Sequence, residues 1–418
     1  MPELPVVMLA AKRHVPSRWF APRMALYFSA LFLIYGIHTT YFPVWLNWRG
    51  LTPEAIGFIT AAPIFARTLL TPAIAAWADA RHNHRTSIIV LSAASAALAI
   101  IISQVSSFWP ILLASLPFAI AIATIMPLTE TIAIAGVRAA GHDYGRMRLW
   151  GSFTFLVTTV LSGVLVDAYG GGILSAILIA AALATAGAAL LLPMPSPKDA
   201  PLSEAEVKPG TEAQLLRTLL KRPLFLLFLL AMGAILGSHA AFYTFGALHL
   251  KAQGISGQAF GALWAISIFA EMALLAFSAP LVERIGPMKL VIAGGAAAVI
   301  RWGGMSIDPP FAVVVLLQLL HALTYGAAHV GAIHFIARAV PTRAAGTAQA
   351  LYSAIGSGLI TGVATLAAGH LYPHLGGQTF LVMAGLAGCG LAAAIYIDKT
   401  WSGTQLLGDM DRCASGNE

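Results

Sequence analysis

Five charged side chains inside or near the edge of long apolar stretches of the sequence are the first candidates for function. Glu130 and Glu271 are acids, Arg67 and Arg301 are placed deep in their stretches, and Arg148 is near an edge. A charged group in a bilayer is costly unless it faces a partner or a wet cavity, so such residues usually mark a pathway for a solute or an ion. Carboxylates exchange protons and guanidinium groups bind anions, which makes binding and proton transfer the chemistry to expect.

The first candidate site is the pair Glu130 and Arg148, which stand eighteen residues apart on consecutive apolar stretches. Antiparallel neighbouring helices would bring both side chains to similar depth, about one or two helical turns from the same membrane edge. We expect the pair to bind the substrate. The alternative is a salt bridge that only joins two helices. Arg146, about 200° around the helix from Arg148, is expected at the lipid headgroups.

The second candidate site centres on Glu271, which we expect to carry the proton. A carboxylate surrounded by apolar helices holds its proton more tightly than in water, so it can exchange that proton as water access alternates. Arg301, His321 and Arg67 are expected to take part in proton coupling with it. The alternative is a purely structural ion pair between Glu271 and either Arg67 or Arg301.

Histidine and tyrosine side chains recur on three of the apolar stretches. His321, Tyr325 and His329 are spaced i, i+4, i+8 and therefore share one helix face. His38 and His239 accompany aromatic residues in the first and seventh stretches. We expect all five to contact the substrate, and a ring-bearing substrate would suit them. Helix packing, hydrogen bonds between helices and aromatic belts at the membrane interface are the alternatives.

Membrane helices must position these residues. The 418 residues are 58% hydrophobic and 10% charged, whereas a soluble protein carries about 25% charged residues. The apolar runs are continuous rather than alternating, which excludes a membrane β-barrel. The predicted fold class is all-α polytopic, with twelve transmembrane helices as two six-helix bundles around a central cavity. The predicted spans are 22–46, 54–78, 86–106, 109–136, 146–167, 172–192, 223–248, 257–282, 288–306, 310–337, 344–371 and 376–397.

One polar segment, rich in Pro, Glu and Lys, separates six spans from the other six and is expected to be flexible. The predicted domains are an N-terminal tail at 1–21, a bundle at 22–192, a linker at 193–222, a bundle at 223–397 and a C-terminal tail at 398–418. Twenty Lys and Arg residues fall on the side of the linker and both tails, and two fall on the other side. This asymmetry predicts cytoplasmic termini. It also accounts for the net charge of +7 without a nucleic-acid partner.

The two halves repeat weakly. Gly50-Leu51-Thr52 matches Gly254-Ile255-Ser256, and in the same register Arg67 falls on Glu271 and Asp79 on Glu283. Repeats of this kind are typical of transporters whose halves rock about a central site.

These features together resemble the major facilitator superfamily. The segment Trp77–Arg85 looks like a degraded copy of its G-x-L-A-D-R-x-G-R-R signature, and Val282–Gly286 is the matching copy in the second half. The stretches Tyr144–Ser152 and His321–His329 are similar to the phenylpropionate-permease group, which is related to lactose permease. In that superfamily the acids after spans 2 and 8 latch helix ends together during switching. The resemblance therefore implies a conformational-switch role for Asp79, Arg85, Glu283 and Arg284.

The resemblance also implies roles for the site residues. In lactose permease, residues at the positions of Glu130 and Arg148 bind the sugar, and Arg301 and His321 match members of the proton-coupling cluster. One departure stands out, because the family's proton-carrying glutamate has Thr324 at its position here. Either another group carries the proton, or coupling is absent.

The sequence as a whole predicts a secondary active transporter of the bacterial inner membrane. We expect proton-coupled uptake of a small organic solute by a monomer that uses the proton gradient and no cofactor or metal. The solute class that we predict is an aromatic carboxylate of the phenylpropionate type. A sugar or nucleoside symporter and an exporter of the same fold are the alternatives. No nucleotide-binding loop is present, which disfavours ATP-driven transport. No zinc spacing or nucleophile elbow is present, so an enzyme is not expected.

Overall fold

The computed structural model describes residues 18–81, 83–140, 142–193 and 211–407, and the regular elements in these ranges are helical. Lipid offers no hydrogen-bond partners, so the backbone groups of a segment in the bilayer must bond to one another, as they do in a helix. The first half comprises α1 (Phe20–Trp48), α2 (Pro53–Ala80), α3 (His84–Gln104), α4 (Phe108–Ala140), α5 (Tyr144–Tyr169) and α6 (Ile173–Leu190). Helix α5 begins at an acidic cap, since the Asp143 carboxylate accepts a hydrogen bond from the Arg146 backbone N–H at 3.1 Å.

The second half is more interrupted. It comprises α7 (Thr211–Leu220), α8 (Pro223–Gly237), α9 (Ala240–Ala252), α10 (Gly257–Ala276), α11 (Ser278–Ile285), α12 (Pro287–Met305), α13 (Phe311–Leu319), α14 (Ala328–Ala339), α15 (Thr342–Leu351), α16 (Ile360–Leu375) and α17 (Thr379–Thr400). Span 7 breaks at Ser238 and His239, between α8 and α9. Spans 10 and 11 contain π-helical segments at Ala322–Ala327 and Tyr352–Leu359. Such segments are frequent at functional sites.

The count of membrane spans agrees with twelve once the last long helical run is divided. Within the described residues, ten helices are long and apolar enough to cross a membrane, or eleven if the bent pair Ser278–Ile285 and Pro287–Met305 is one span. The last of the ten, Thr342–Thr400, has 59 residues, far more than the roughly 20 that a bilayer needs. The turn at Gly376–Gln378 divides it. The twelve predicted spans are consistent with this architecture.

Part of the predicted flexible linker is helical, which corrects the expectation for its C-terminal third. Residues 194–210 lie outside the described part of the chain. Helix α7 packs against α8 and α15 and buries Leu215 and Leu219 in the apolar core of the second half. Its leucines at i, i+4 form one apolar face, a pattern that the composition of the whole linker obscured.

The two halves meet mainly through α1 with α9, α2 with α16 and α5 with α10, and α2 also contacts α9 and the π-helical segment Tyr352–Leu359. The repeat seen in the sequence extends to backbone conformation. Gly50 and Gly254, which match in the repeat, both have φ of +83°, a conformation that only glycine adopts without strain. The loop that follows the first span of each half therefore turns in the same way.

We call the end of the molecule where α6 ends and α8 begins the linker face, and the opposite end the distal face. At the distal face the halves touch along a seam. The Asp167 carboxylate accepts hydrogen bonds from the backbone N–H groups of Gly257 at 2.8 Å and Gln258 at 2.9 Å. The Tyr41 hydroxyl donates to the Gly257 carbonyl oxygen at 2.9 Å. These bonds join α1 and α5 to the beginning of α10.

Backbones at the seam approach closely because glycines stand at the contact points. A Cβ atom added to Gly57 would lie 2.6 Å from the Gly369 Cα, and one added to Gly163 would overlap the Gly257 carbonyl. Small residues allow helices in lipid to pack at short distance. The distal face is therefore closed in this conformation.

Candidate functional site

A cavity of about 360 Å³ lies between the two halves, about midway along their helices. This volume is within the range of small-molecule sites. Aromatic rings line it on both sides, with Tyr35, His38 and Phe42 on α1 and Tyr243 and Tyr325 in the second half. The cavity can therefore enclose a small ring-bearing molecule between the halves, as the predicted architecture requires.

A second cavity, of about 610 Å³, continues from the first. The two share Arg67, Ala123 and Ser357, and the second reaches Leu216 on α7. Because α7 lies at the linker face and the seam closes the distal face, the cavities form a path from the centre of the molecule toward the linker face.

Arg67 lies where the two cavities meet. In the described ranges it is the one charged side chain that lines either of them, and no described residue forms an ion pair or hydrogen bond with its side chain. Its predicted pairing with Glu271 is not formed in this conformation, since Glu271 contacts His321 instead. The guanidinium is close enough to Tyr35, His38 and Tyr325 to act on each electrostatically.

A chain of three ionisable groups runs behind the cavity wall. The Arg301 Nη1 is 2.9 Å from the His321 Nδ1, and the His321 Nε2 is 3.4 Å from the Glu271 Oε2. A guanidinium can only donate hydrogen bonds, so the Nδ1 must accept and the Nε2 of neutral His321 carries the hydrogen. That hydrogen faces the Glu271 carboxylate. The structure thus brings together three of the four residues predicted to couple protons. The fourth, Arg67, is not part of this chain.

Other side chains hold Arg301 rigidly within the second half. Its Nη2 donates to the Gln318 Oε1 at 2.6 Å and its Nη1 donates to the Thr324 hydroxyl at 3.2 Å. The guanidinium carbon lies 4.5 Å from the Trp302 ring centroid and 5.4 Å from that of Phe242. Only 1% of Arg301 is exposed. Cation–π contacts and charge-assisted hydrogen bonds are what a buried guanidinium needs.

His239 belongs to this support rather than to the cavity lining. Its Nε2 is 3.0 Å from the Thr324 hydroxyl and its Nδ1 is 3.1 Å from the Leu236 carbonyl oxygen. Because a carbonyl oxygen only accepts, the Nδ1 donates to it, and the Nε2 of neutral His239 accepts from the Thr324 hydroxyl. Both ring nitrogens are thus occupied by protein and the residue is fully buried. The predicted contact of His239 with substrate is not available in this conformation.

The stripe formed by His321, Tyr325 and His329 is present, although the π-helical segment passes through it. The ring centroids of Tyr325 lie 5.6 Å from His321 and 6.2 Å from His329, both stacked. Only Tyr325 lines the cavity. The His329 Nδ1 is 2.9 Å from the Tyr352 hydroxyl. Tyr325 therefore stands between the cavity and the Arg301–His321–Glu271 chain.

Glu130 and Arg148 are close but not directly paired. The Tyr144 hydroxyl donates to the Glu130 Oε1 at 3.1 Å, and Arg148 interacts electrostatically with both residues. The Arg148 guanidinium lies 4.0 Å from the Phe32 ring centroid. Neither member of the pair lines the two described cavities. Of the residues predicted to bind substrate, the structure places His38 and Tyr325 at the cavity.

The predicted switch residues lie at the linker face. Arg85 donates from its Nε to the Leu192 carbonyl at 2.8 Å and from its Nη2 to the Leu190 carbonyl at 2.7 Å, so it caps the end of α6. Glu283 and Arg284 are exposed on α11. The Asp79 side chain lies outside the described part of the structure.

Sequence reasoning overlooked Gln318, Tyr144, Tyr35 and Tyr243. Gln318 carried a usable signal, since it is a polar residue in an apolar stretch three positions before His321. Tyr144 begins the motif that drew attention to Arg148. The two cavity tyrosines had no such signal, because membrane tyrosines are also common at lipid interfaces.

A cavity between two helical halves, with ionisable groups beside it, is the arrangement of a membrane transporter. The family described as "MFS_1 like family" matches residues 23–382, and the chain belongs to this family. The resemblance to the major facilitator superfamily is thereby confirmed, and the family comprises transporters rather than enzymes. The protein is a multi-pass membrane protein.

Several relatives share most of the chain. It is 29% identical over 374 residues to the "Probable 3-phenylpropionic acid transporter" of Escherichia coli (strain K12), covering 88% of this chain and 94% of the relative. It is 27% identical over 352 residues to the "Maltose permease" of Geobacillus stearothermophilus, covering 83% and 86%. Its fold is similar to the crystal structure of nucleoside transporter NupG, with a TM-score of 0.80, 16% identity, and coverage of 91% of this chain and 100% of that one.

Proposed function

We propose that the protein is a proton-coupled symporter that takes up a small organic acid by alternating access. It would act as a monomer in the bacterial inner membrane, with both termini in the cytoplasm. The proton gradient would drive it, with no cofactor, metal or nucleic acid. The solute class that we favour is an aromatic carboxylate of the phenylpropionate type.

The Arg301–His321–Glu271 chain is the observation that carries this proposal. Glu271 is a carboxylate that can take and release a proton, and the fixed Nε2–H of His321 stabilises its ionised form. Arg301 holds that tautomer in place. Glu271, on α10, would supply the carboxylate that is missing at the position of Thr324 in span 10.

Tyr325 offers a physical connection between solute and proton. Its ring lines the cavity on one side and stacks on His321 on the other. A solute that displaces Tyr325 would change the position or the hydration of His321 and Glu271. Coupling requires such a difference between the loaded and empty states.

The aromatic walls of the cavity support a ring-bearing solute, and the relative named for 3-phenylpropionic acid agrees in chemical class. A sugar or nucleoside is the second candidate. The Glu130–Tyr144 hydrogen bond and Arg148 form a polar group of the kind that binds hydroxyls, and one relative is a maltose permease.

The test is solute-induced pH change in proteoliposomes, with aromatic carboxylates, sugars and nucleosides compared in one screen. For the favoured class, the outside medium should become alkaline when solute is added to the unaltered protein. Glu271→Gln should abolish this alkalinisation while solute exchange continues. Asp398→Asn, which removes an exposed carboxylate at the end of α17, is the matched control and should behave as the unaltered protein. Exchange without proton movement in the unaltered protein would contradict the proposal and make Glu271 a structural partner of His321.

A further inference from the structure

We infer that Arg67 binds the carboxylate of the transported acid while the aromatic rings of α1 and the second half enclose its apolar part. The inference rests on the proposed function, because it names the residue that recognises the solute class proposed there. It assigns anion recognition to α2 rather than to the Glu130–Arg148 pair, which the sequence predicted to bind the substrate.

The first argument is that the Arg67 charge is unmatched. An arginine stays protonated in proteins, and an isolated charge inside a membrane protein is costly unless water or a counter-ion accompanies it. Neither cavity is lined by a carboxylate within the described residues. Arg301, by contrast, has its guanidinium occupied by Gln318, Thr324 and His321. Arg67 is therefore the cation that remains available to a solute.

The second argument is position. Arg67 lines both cavities at their junction, so an incoming anion from the linker face would reach it before the aromatic walls. Tyr35, His38 and Tyr325 are within electrostatic range of its guanidinium. A carboxylate on Arg67 would thus place an attached ring beside the aromatic side chains that line the central cavity.

The third argument concerns specificity. A guanidinium binds a carboxylate through two parallel hydrogen bonds, whereas it has no comparable pairing with a neutral amide. A cavity whose one charged lining residue is a cation should distinguish an acid from its neutral isostere. No such discrimination is expected if Arg67 only forms a structural pair with Glu271 in another conformation.

The experiment measures equilibrium binding to the purified full-length protein at a single pH, by isothermal titration calorimetry. The probes are 3-phenylpropionate and the neutral 3-phenylpropanamide, which have nearly the same shape. Arg67→Gln should weaken binding of the acid on the order of 10- to 100-fold, as expected for loss of a charge-assisted pair. It should leave binding of the amide within about twofold. Arg67→Lys keeps the charge but loses the two-pronged geometry, so its affinity for the acid should fall between the two.

Arg338→Gln is the matched control, because it removes an exposed arginine near the end of α14 without touching either cavity. It should bind both probes as the unaltered protein does. The thermal unfolding midpoint of each variant verifies that the fold is retained.

Three results would overturn the inference. They are unchanged acid binding in Arg67→Gln, equal weakening for acid and amide, and absence of acid binding by the unaltered protein. The first would favour a coupling role for Arg67. No proton gradient is present in this measurement, so a failure of proton coupling would leave the binding result intact and the two proposals separable.

Discussion

The deep arginines of the two halves, Arg67 and Arg301, lie in opposite environments. In the second half Arg301 is almost fully buried, and its three hydrogen-bond partners among the described residues, Gln318, Thr324 and His321, belong to the same half. In the first half Arg67 is exposed to the cavities and has no partner among the described residues. A guanidinium held by several hydrogen bonds in the protein interior positions other groups, whereas one without such bonds at a cavity is available for binding. Under the functions proposed above, proton transfer belongs to the second half and recognition of the solute's carboxylate belongs to the first.

The largest effect should come from removing the fixed arginine. Arg301→Leu leaves the His321 Nδ1 without its donor, and an unsatisfied buried group costs about 1–3 kcal/mol. Gln318 loses one of its two donors and keeps the Ser267 hydroxyl at 3.1 Å. Uptake driven by a proton gradient should fall by about 100-fold or more, since positioned acid–base groups contribute about 10²- to 10⁴-fold. Radiolabelled uptake and thermal unfolding in detergent would measure both effects. Proton-driven uptake at the normal rate in this variant would contradict the assignment of proton transfer to the second half.

An intermediate effect should come from the polar group of the first half that lies off the cavity. Glu130→Gln replaces the charged acceptor of the Tyr144 hydroxyl and should lower uptake about tenfold, as the loss of one charge-assisted hydrogen bond does. Initial uptake rates give the measurement, with Glu54→Gln as a control on an exposed carboxylate of the same half. Normal transport by Glu130→Gln would leave Glu130 and Arg148 without a role in the site. A larger loss for sugars than for acids would favour the second candidate function.

The smallest effect should come from the arginines at the linker face, Arg85 in the first half and Arg284 in the second. Arg85 makes two hydrogen bonds to the end of α6, while Arg284, at the corresponding end of the second half, is exposed. Arg85→Gln should lower the unfolding free energy by about 1–3 kcal/mol, the worth of two such bonds. Arg284→Gln should leave the midpoint of thermal unfolding unchanged. Equal destabilisation by the two variants would mean that both arginines cap their bundles.

The architecture could be read from the sequence because a bilayer restricts what a continuous apolar run can do. Helices, the division into halves and the glycines at Gly50 and Gly254 followed from length, composition and repeat. The grouping of Glu271, His321 and Arg301 was also predictable, since costly groups in a membrane seek one another. These inferences needed no knowledge of side-chain direction.

Other features depended on details that spacing alone does not contain. Arg67 and Glu271 match in the repeat, but Glu271 contacts His321 in its own half, at the position that directly precedes the π-helical segment of span 10. Tyr144 intervenes between Glu130 and Arg148, which depth alone placed together. The break at Ser238 and His239 buries a histidine that the aromatic pattern had assigned to the cavity. In each case a local change of helix geometry, or one further side chain, decided the partner.

The seam at the distal face determines how readily the transporter can change state. Three hydrogen bonds hold it, from Gly257 and Gln258 to Asp167 and from Tyr41 to Gly257, and each is worth about 0.5–1.5 kcal/mol, somewhat more where the carboxylate accepts. Reversing a 1:99 population of two states requires about 5.5 kcal/mol. The free energy of the seam is therefore similar in size to the difference in binding free energy that one solute can have between two conformations. A stronger seam would keep the distal face closed whatever was bound. Because the seam is weak, binding of a solute can be sufficient to open it.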